Sequence, residues 1–141
     1  MRASAPRAAI VYDAGALIAA EANRPRMWRL HRQALDEKRR IIVPVPVLAQ
    51  VWRGSARQAS LARLLFGCEI ADMTERIGKE AGVLCGRMAA RRRTAPVDVV
   101  DATVVVVAIM AAAAILTSDQ DDLVALTDAA DPVIRPALIE V

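Results

Sequence analysis

Aromatic side chains are scarce: one Phe, one Tyr and two Trp make up 3% of the 141 residues. There is no stacking platform of the kind that single-strand binders use. Histidine occurs once, at His31, and the two cysteines, Cys68 and Cys85, lie far apart with no CxxC pattern. These counts argue against a structural zinc site, and nothing suggests an oxidising compartment. No apolar run is long enough for a membrane. Every side chain from Val104 to Leu116 is apolar, but that falls short of the roughly 20 residues that span a bilayer, so the run reads as buried core. The amino terminus carries basic residues before an apolar stretch, yet Asp13 interrupts it and its removal would cost a strand. No signal peptide is expected, and a soluble cytoplasmic protein follows. Internal repeats and low-complexity linkers are also missing.

What remains is 55% hydrophobic, drawn from Ala, Val, Leu and Ile. The length suits one domain over residues 1–141, with 1–7 a loose lead-in. The net charge of +3 is compatible with a polyanionic partner without demanding one. Its distribution says more, because arginines crowd the first two thirds and aspartates the last.

In chain order, 8–12 reads as a buried parallel-type strand that ends at Asp13, and 14–22 has helix composition. Pro25 opens a helix that carries Met27, Trp28, Leu30 and Leu35 toward the core and ends near Arg40. A short strand over 41–43, a short helix over 47–53, a break at Gly54 and Ser55, and a helix over 56–66 follow. Residues 69–71 suit an edge strand, and Thr74 caps a helix from Glu75 to about Arg92. The arginines at 91–93 complement its dipole. By propensity VVDATVVVVAIM favours a strand. A helix from Asp98 to Met110 is expected instead, because Asp98 looks like an N-cap and a turn must precede the strand at 114–117. Asp119 then caps a helix to about Leu126, and 133–138 adds a last strand. Strands alternating with helices imply an α/β sandwich around a mainly parallel sheet.

In such sheets, sites form beyond the carboxyl ends of strands. Asp13 ends the first strand, and Asp119 lies two residues past Thr117 at the end of another. Asp98 and Asp101 are three apart and share one face of a first helical turn. Three segments therefore deliver carboxylates to one edge. Such groups repel one another, and a hard divalent cation is the usual remedy. Each has a plainer reading: Asp98 and Asp119 as caps, Asp121 as a solvated charge. Asp101, before a fully apolar face, and Asp13, at a buried strand end, resist that reading.

VYDAGALIAA, DVVDATVVVVA and ILTSDQDDL, in that order, resemble PIN-domain ribonucleases, and within them the VapC-type toxins of toxin–antitoxin pairs. The resemblance covers nearly the whole chain and implies a PIN-like α/β/α sandwich. It implies a metal-dependent RNA endonuclease in which Asp13, Asp101 and Asp119 are catalytic carboxylates that bind Mg²⁺ or Mn²⁺, with Asp122 a further acidic member. Thr117 and Ser118 would support the site through hydrogen bonds. It also implies a homodimer and a small VapB-type antitoxin that supplies DNA binding; this chain has no helix-turn-helix signature of its own.

Two positions depart from the family pattern. Gln50 stands where a glutamate is usual, which removes one negative charge and should weaken Mg²⁺ binding, although an amide oxygen can still ligate or hold water. Gly15 stands where a serine or threonine is common. Arg53, Arg57 and Arg91 are candidates for holding RNA phosphates, against a plainer role on solvated helix faces and ends. Trp28 and Trp52 are candidate interface anchors. Alternatives to a nuclease are a PIN-like module that binds RNA or protein after losing cleavage through Gln50, and a response-receiver-like regulator. The regulator ranks last because a lysine near its last strand and a central phosphoacceptor aspartate are missing.

Overall fold

Strand β1 (Ile10–Tyr12) is apolar and buried along its whole length, as a strand covered on both faces must be. In the computed structural model, which describes residues 8–91 and 97–141, it is the centre of a five-stranded sheet. The other strands are β2 (Ile41–Pro44), β3 (Glu69–Ala71), β4 (Ala114–Thr117) and β5 (Leu138–Glu140), in the order β3-β2-β1-β4-β5. Every pairing is parallel, with Ile10 beside Ile41 on one side and Tyr12 beside Leu116 on the other. From β1 the chain steps outward through β2 and β3, then returns to place β4 on the opposite side. The reversal lies between β1 and β4, whose carboxyl ends carry Asp13 and Asp119.

Helices α1 (Ala14–Glu21), α2 (Pro25–Asp36), α3 (Val45–Val51) and α4 (Ala59–Leu65) pack together around α1. Helices α5 (Glu75–Arg91), α6 (Val99–Ala111) and α7 (Gln120–Ala130) form a second group, with α6 against β1, β2 and β4. The result is the expected α/β/α sandwich, with a sheet that is wholly parallel. Among the described residues no helix is long and apolar enough to cross a membrane.

Helix α6 overrides the β propensity of its valines. Residues Ala102 to Ala108 are all buried. Burying a valine contributes ~1.5–3 kcal/mol, against ~0.5 kcal/mol lost by placing it in a helix. Asp98 caps the helix as expected, and Ala112 ends it in the left-handed conformation at φ 49°. Pro25 opens α2, and Thr74 Oγ1 accepts the Ile77 N–H at the start of α5.

Several boundaries differ from the sequence reading. Helix α2 stops at Asp36, where Lys38 turns at φ 55°, and its buried face is Met27, His31 and Ala34. Leu35 is 45% exposed instead of core. Helix α3 begins at Val45, earlier than expected, and a 3-10 turn at Ala56–Gln58 precedes α4. Helix α7 runs to Ala130, and the last strand is Leu138–Glu140, not 133–138. Val133 and Ile134 lie exposed between Pro132 and Pro136; prolines have no N–H for a ladder. The strand paired with β4 is 138–140 instead, and Arg26 donates to it from Nε and Nη2 at the Glu140 carbonyl. The lead-in at 1–7, the end of the α5 reading near Arg92, and Arg93 lie outside the described residues.

Candidate active site

Asp13 follows the last residue of β1 and is the N-cap of α1. Its backbone N–H donates to Leu116 O at 3.2 Å, continuing the β1–β4 ladder, while its Oδ1 accepts the Ala16 N–H at 2.9 Å. The residue is only 7% exposed. Burial pushes its carboxyl up, and the nearby Asp119 adds to that. Hydrogen bonds from the Thr117 hydroxyl and from the Ala16 and Gly15 N–H groups pull the other way.

Thr117, fully buried at the end of β4, links the two strand ends. Its Oγ1 accepts the Asp119 N–H at 3.0 Å. Its one hydroxyl proton has two acceptors, the Asp119 carbonyl at 3.0 Å and the Asp13 carboxylate. Asp119 Oδ1 accepts the Asp121 N–H at 3.2 Å and so caps α7, which puts Asp121 and Asp122 in the first turn. The capping role expected of Asp119 is present, and it brings the residue to the mouth of the β1–β4 reversal.

Asp101 enters from the other helical group, in the first turn of α6. It is half-buried and its carboxyl is pushed up to about 6. Burial is the largest cause, followed by the charges of Asp98, Asp13, Asp122 and Asp119. Aspartates from the end of β1, α6 and the β4–α7 turn thus share one electrostatic environment, and among the described residues the charges that shift Asp101 are negative. Asp98 and Asp122 are exposed.

Among the described residues no three carboxylate, histidine or cysteine side chains are gathered tightly enough to ligate one ion directly. Asp13, Asp98 and Asp119 each turn one oxygen onto a backbone N–H of their own helix, and each keeps a second oxygen outside those caps. The donor set nonetheless fits a small hard cation. It is all oxygen and negatively charged, and Mg²⁺ is commonly held by one or two carboxylates with water completing its shell.

Ser118 is exposed and lies against the first turn of α1, where a Cβ on Gly15 would fall 1.9 Å from its Oγ. Gln50 is exposed on α3, with no described contact to the carboxylates. Arg53, Arg57 and Arg91 are all exposed. Arg53 folds its guanidinium onto the Ala49 and Trp52 carbonyls. Trp52 is 41% exposed. Trp28 instead packs against the core, donates its indole N–H to Ala20 O at 3.2 Å and lies under the Arg63 guanidinium at 4.7 Å.

Two structural residues escaped the sequence reading. Buried Gln58 ties the loop after α3: its Oε1 accepts from Arg53 and Gly54, and its Nε2 donates to Val51 O. His31 is buried on α2 and its Nδ1 is hydrogen-bonded to the Tyr12 hydroxyl, 2.9 Å away. The i, i+4, i+7 spacing of Met27, His31 and Ala34 was a signal for the second.

A protein-family model described as PIN domain matches residues 10–128. A search of curated protein sequences finds no match. Among solved structures, a chain in the crystal structure of VapBC2 from Rickettsia felis, bound to a DNA fragment from their promoter, superposes with a TM-score of 0.68 at 16% identity. That match covers 94% of this chain and 98% of the other. A chain in DNA-bound VapBC from Salmonella typhimurium gives a TM-score of 0.64 at 16% identity, covering 95% and 98%.

Proposed function

The chain belongs to the PIN-domain family, and from that premise we propose that it is a Mg²⁺- or Mn²⁺-dependent RNA endonuclease acting as the toxin of a VapBC-type pair. The observation that carries the reading is the crowding of like charge on Asp101, which four other aspartates oppose. Such crowding destabilises a fold unless something cationic repays it.

Asp13, Asp101 and Asp119 would hold the cation, with Asp122 beside them. When bound, the cation would neutralise charge building on the phosphodiester and make water acidic enough to attack it. The chain's own residues set the stage. Asp98, as the N-cap, fixes the first turn of α6 and with it the position of Asp101. Thr117 fixes Asp119 through its backbone, accepting the Asp119 N–H and donating to the Asp119 carbonyl, and its hydroxyl lies beside the Asp13 carboxylate. Asp13 and Thr117 are buried at the β1–β4 reversal and Asp101 is half-buried, whereas Asp119 and Asp122 face solvent, which leaves the carboxylates open to a substrate. Arg53, Arg57 and Arg91 would contact RNA phosphates.

The two VapBC structures support a VapB-type antitoxin as partner; the proposal further holds that DNA is reached only through that antitoxin. A homodimer, a single domain spanning the chain and a cytoplasmic location complete the proposal. Incubation of the purified chain with total RNA and Mn²⁺ or Mg²⁺, beside chelated and Asp101→Asn controls, tests it. Cleavage that requires both the metal and Asp101 supports the nuclease. Metal binding without cleavage favours a binding module weakened at Gln50, and neither result leaves the aspartates as helix caps alone.

A further inference from the structure

Gly15 and Ser118 come from the two segments that carry Asp13 and Asp119. A Cβ at position 15 would lie 1.9 Å from Ser118 Oγ, 2.8 Å from its Cβ and 3.1 Å from its backbone nitrogen. The glycine is not there for backbone freedom: it sits in the first turn of α1, outside the positive-φ region that only Gly54 among the glycines adopts. An alanine there would normally favour the helix. What the glycine provides is space, and the Ser118 side chain fills it.

We infer that Gly15 and Ser118 are a coupled positioning pair that sets the spacing of Asp13 and Asp119 across the β1–β4 reversal. Ser118 supplies all three atoms nearest to where a Cβ on Gly15 would lie, so the first turn of α1 and the β4–α7 turn meet at this pair. It lies two residues from Asp13 and one from Asp119, while Thr117 ties the same two segments from the buried side. Any side chain at 15 lifts Ser118, and Asp119 moves with it because the turn is short and hydrogen-bonded. The inference rests on the proposed cation site, and it assigns to the pair the geometry of that site, not the chemistry.

The test is a double-mutant cycle on the full chain, with Gly15→Ala, Ser118→Gly and the double variant. Two readouts are taken: thermal midpoint in chelator, and Mn²⁺ affinity by calorimetry. In the wild-type background Gly15→Ala is expected to lower the midpoint and weaken Mn²⁺ about tenfold. In the Ser118→Gly background, where only the 3.1 Å backbone contact remains, it should no longer lower the midpoint, and affinity should return to within about twofold of Ser118→Gly alone. If Gly15→Ala does not fold, the double variant must fold and bind Mn²⁺. Additive losses, a double variant that does not fold, or a Gly15→Ala protein that binds Mn²⁺ like wild type would each overturn the pair. A wild-type chain that binds no Mn²⁺ is a different result: it overturns the cation site itself, and the role assigned to the pair goes with it.

Discussion

Asp98 Oδ1 accepts the Asp101 N–H at 3.4 Å and the Val100 N–H at 2.8 Å, so the cap of α6 holds the backbone that carries the half-buried carboxylate of Asp101. The helix that Asp98 stabilises therefore delivers Asp101 into a negative field. Burial and then the charge of Asp98 push Asp101 up to about 6.

That shift predicts a cost to folding. A carboxyl held above its unfolded value of about 4 favours the folded state when protonated, and this contribution is lost as pH rises through about 6. Asp101→Asn should therefore be more stable than the wild type at pH 7.5 in chelator, by ~1 kcal/mol once solvent screening at a half-exposed group is allowed for. Near pH 4 the difference should largely vanish. Thermal midpoints at the two pH values decide it, and an Asp101→Asn protein no more stable than wild type at pH 7.5 contradicts the crowding.

Cation affinity should follow the same titration. Carboxylate ligands must be ionised to bind, so Mn²⁺ affinity is expected to fall about tenfold per pH unit below 6 for each proton displaced. Asp13 is also raised by burial, so its protonation acts in the same direction as pH falls. Calorimetry between pH 5 and 7.5 reads the slope; a flat profile places the metal elsewhere.

Gln50 gives a prediction of the opposite sense. If its position belongs to the site, Gln50→Glu adds one negative charge and should raise Mg²⁺ affinity about tenfold. Unchanged affinity would remove position 50 from the site, which its exposure on α3 permits.

The Tyr12–His31 hydrogen bond ties the strand before Asp13 to α2. Burial lowers the His31 pKa, so the neutral ring belongs to the folded state. Its contribution is complete above about 6.5 and is lost as pH falls, the reverse of Asp101. Tyr12→Phe leaves the buried Nδ1 without its hydrogen-bond partner and should cost about 1–2 kcal/mol at pH 7. Chemical denaturation at that pH checks it, and a loss below a few tenths means the hydroxyl bond adds little.

Much of this architecture is legible in the chain. Strand β1 and the strand at 114–117 are short apolar runs ending at polar residues, and Pro25, Thr74, Asp98 and Asp119 mark helix starts by local chemistry that needs no tertiary context. What failed was decided over longer distances. Val133 and Ile134 are apolar and β-branched but stay exposed between two prolines, because the ladder to β4 is taken by Leu138–Glu140, where Arg26 from α2 also binds the Glu140 carbonyl. Leu35 fits an apolar stripe, yet the polar His31 takes the buried face because Tyr12 supplies its partner. At the site, the three aspartate-bearing segments follow from the order of strands and helices. The fit of Ser118 over Gly15 does not, since it depends on a contact between residues a hundred positions apart.

The central claim is that Asp13, Asp101 and Asp119 form one divalent-cation site, and a Mn²⁺ titration followed by electron paramagnetic resonance at pH 7.5 tests it most directly. The wild-type chain should bind Mn²⁺ saturably. Asp13→Asn, Asp101→Asn and Asp119→Asn should each weaken binding at least about tenfold while remaining folded, since removing one carboxylate removes both a ligand and a unit of charge. Wild-type binding that survives all three substitutions unchanged, or no binding at all, would contradict the account.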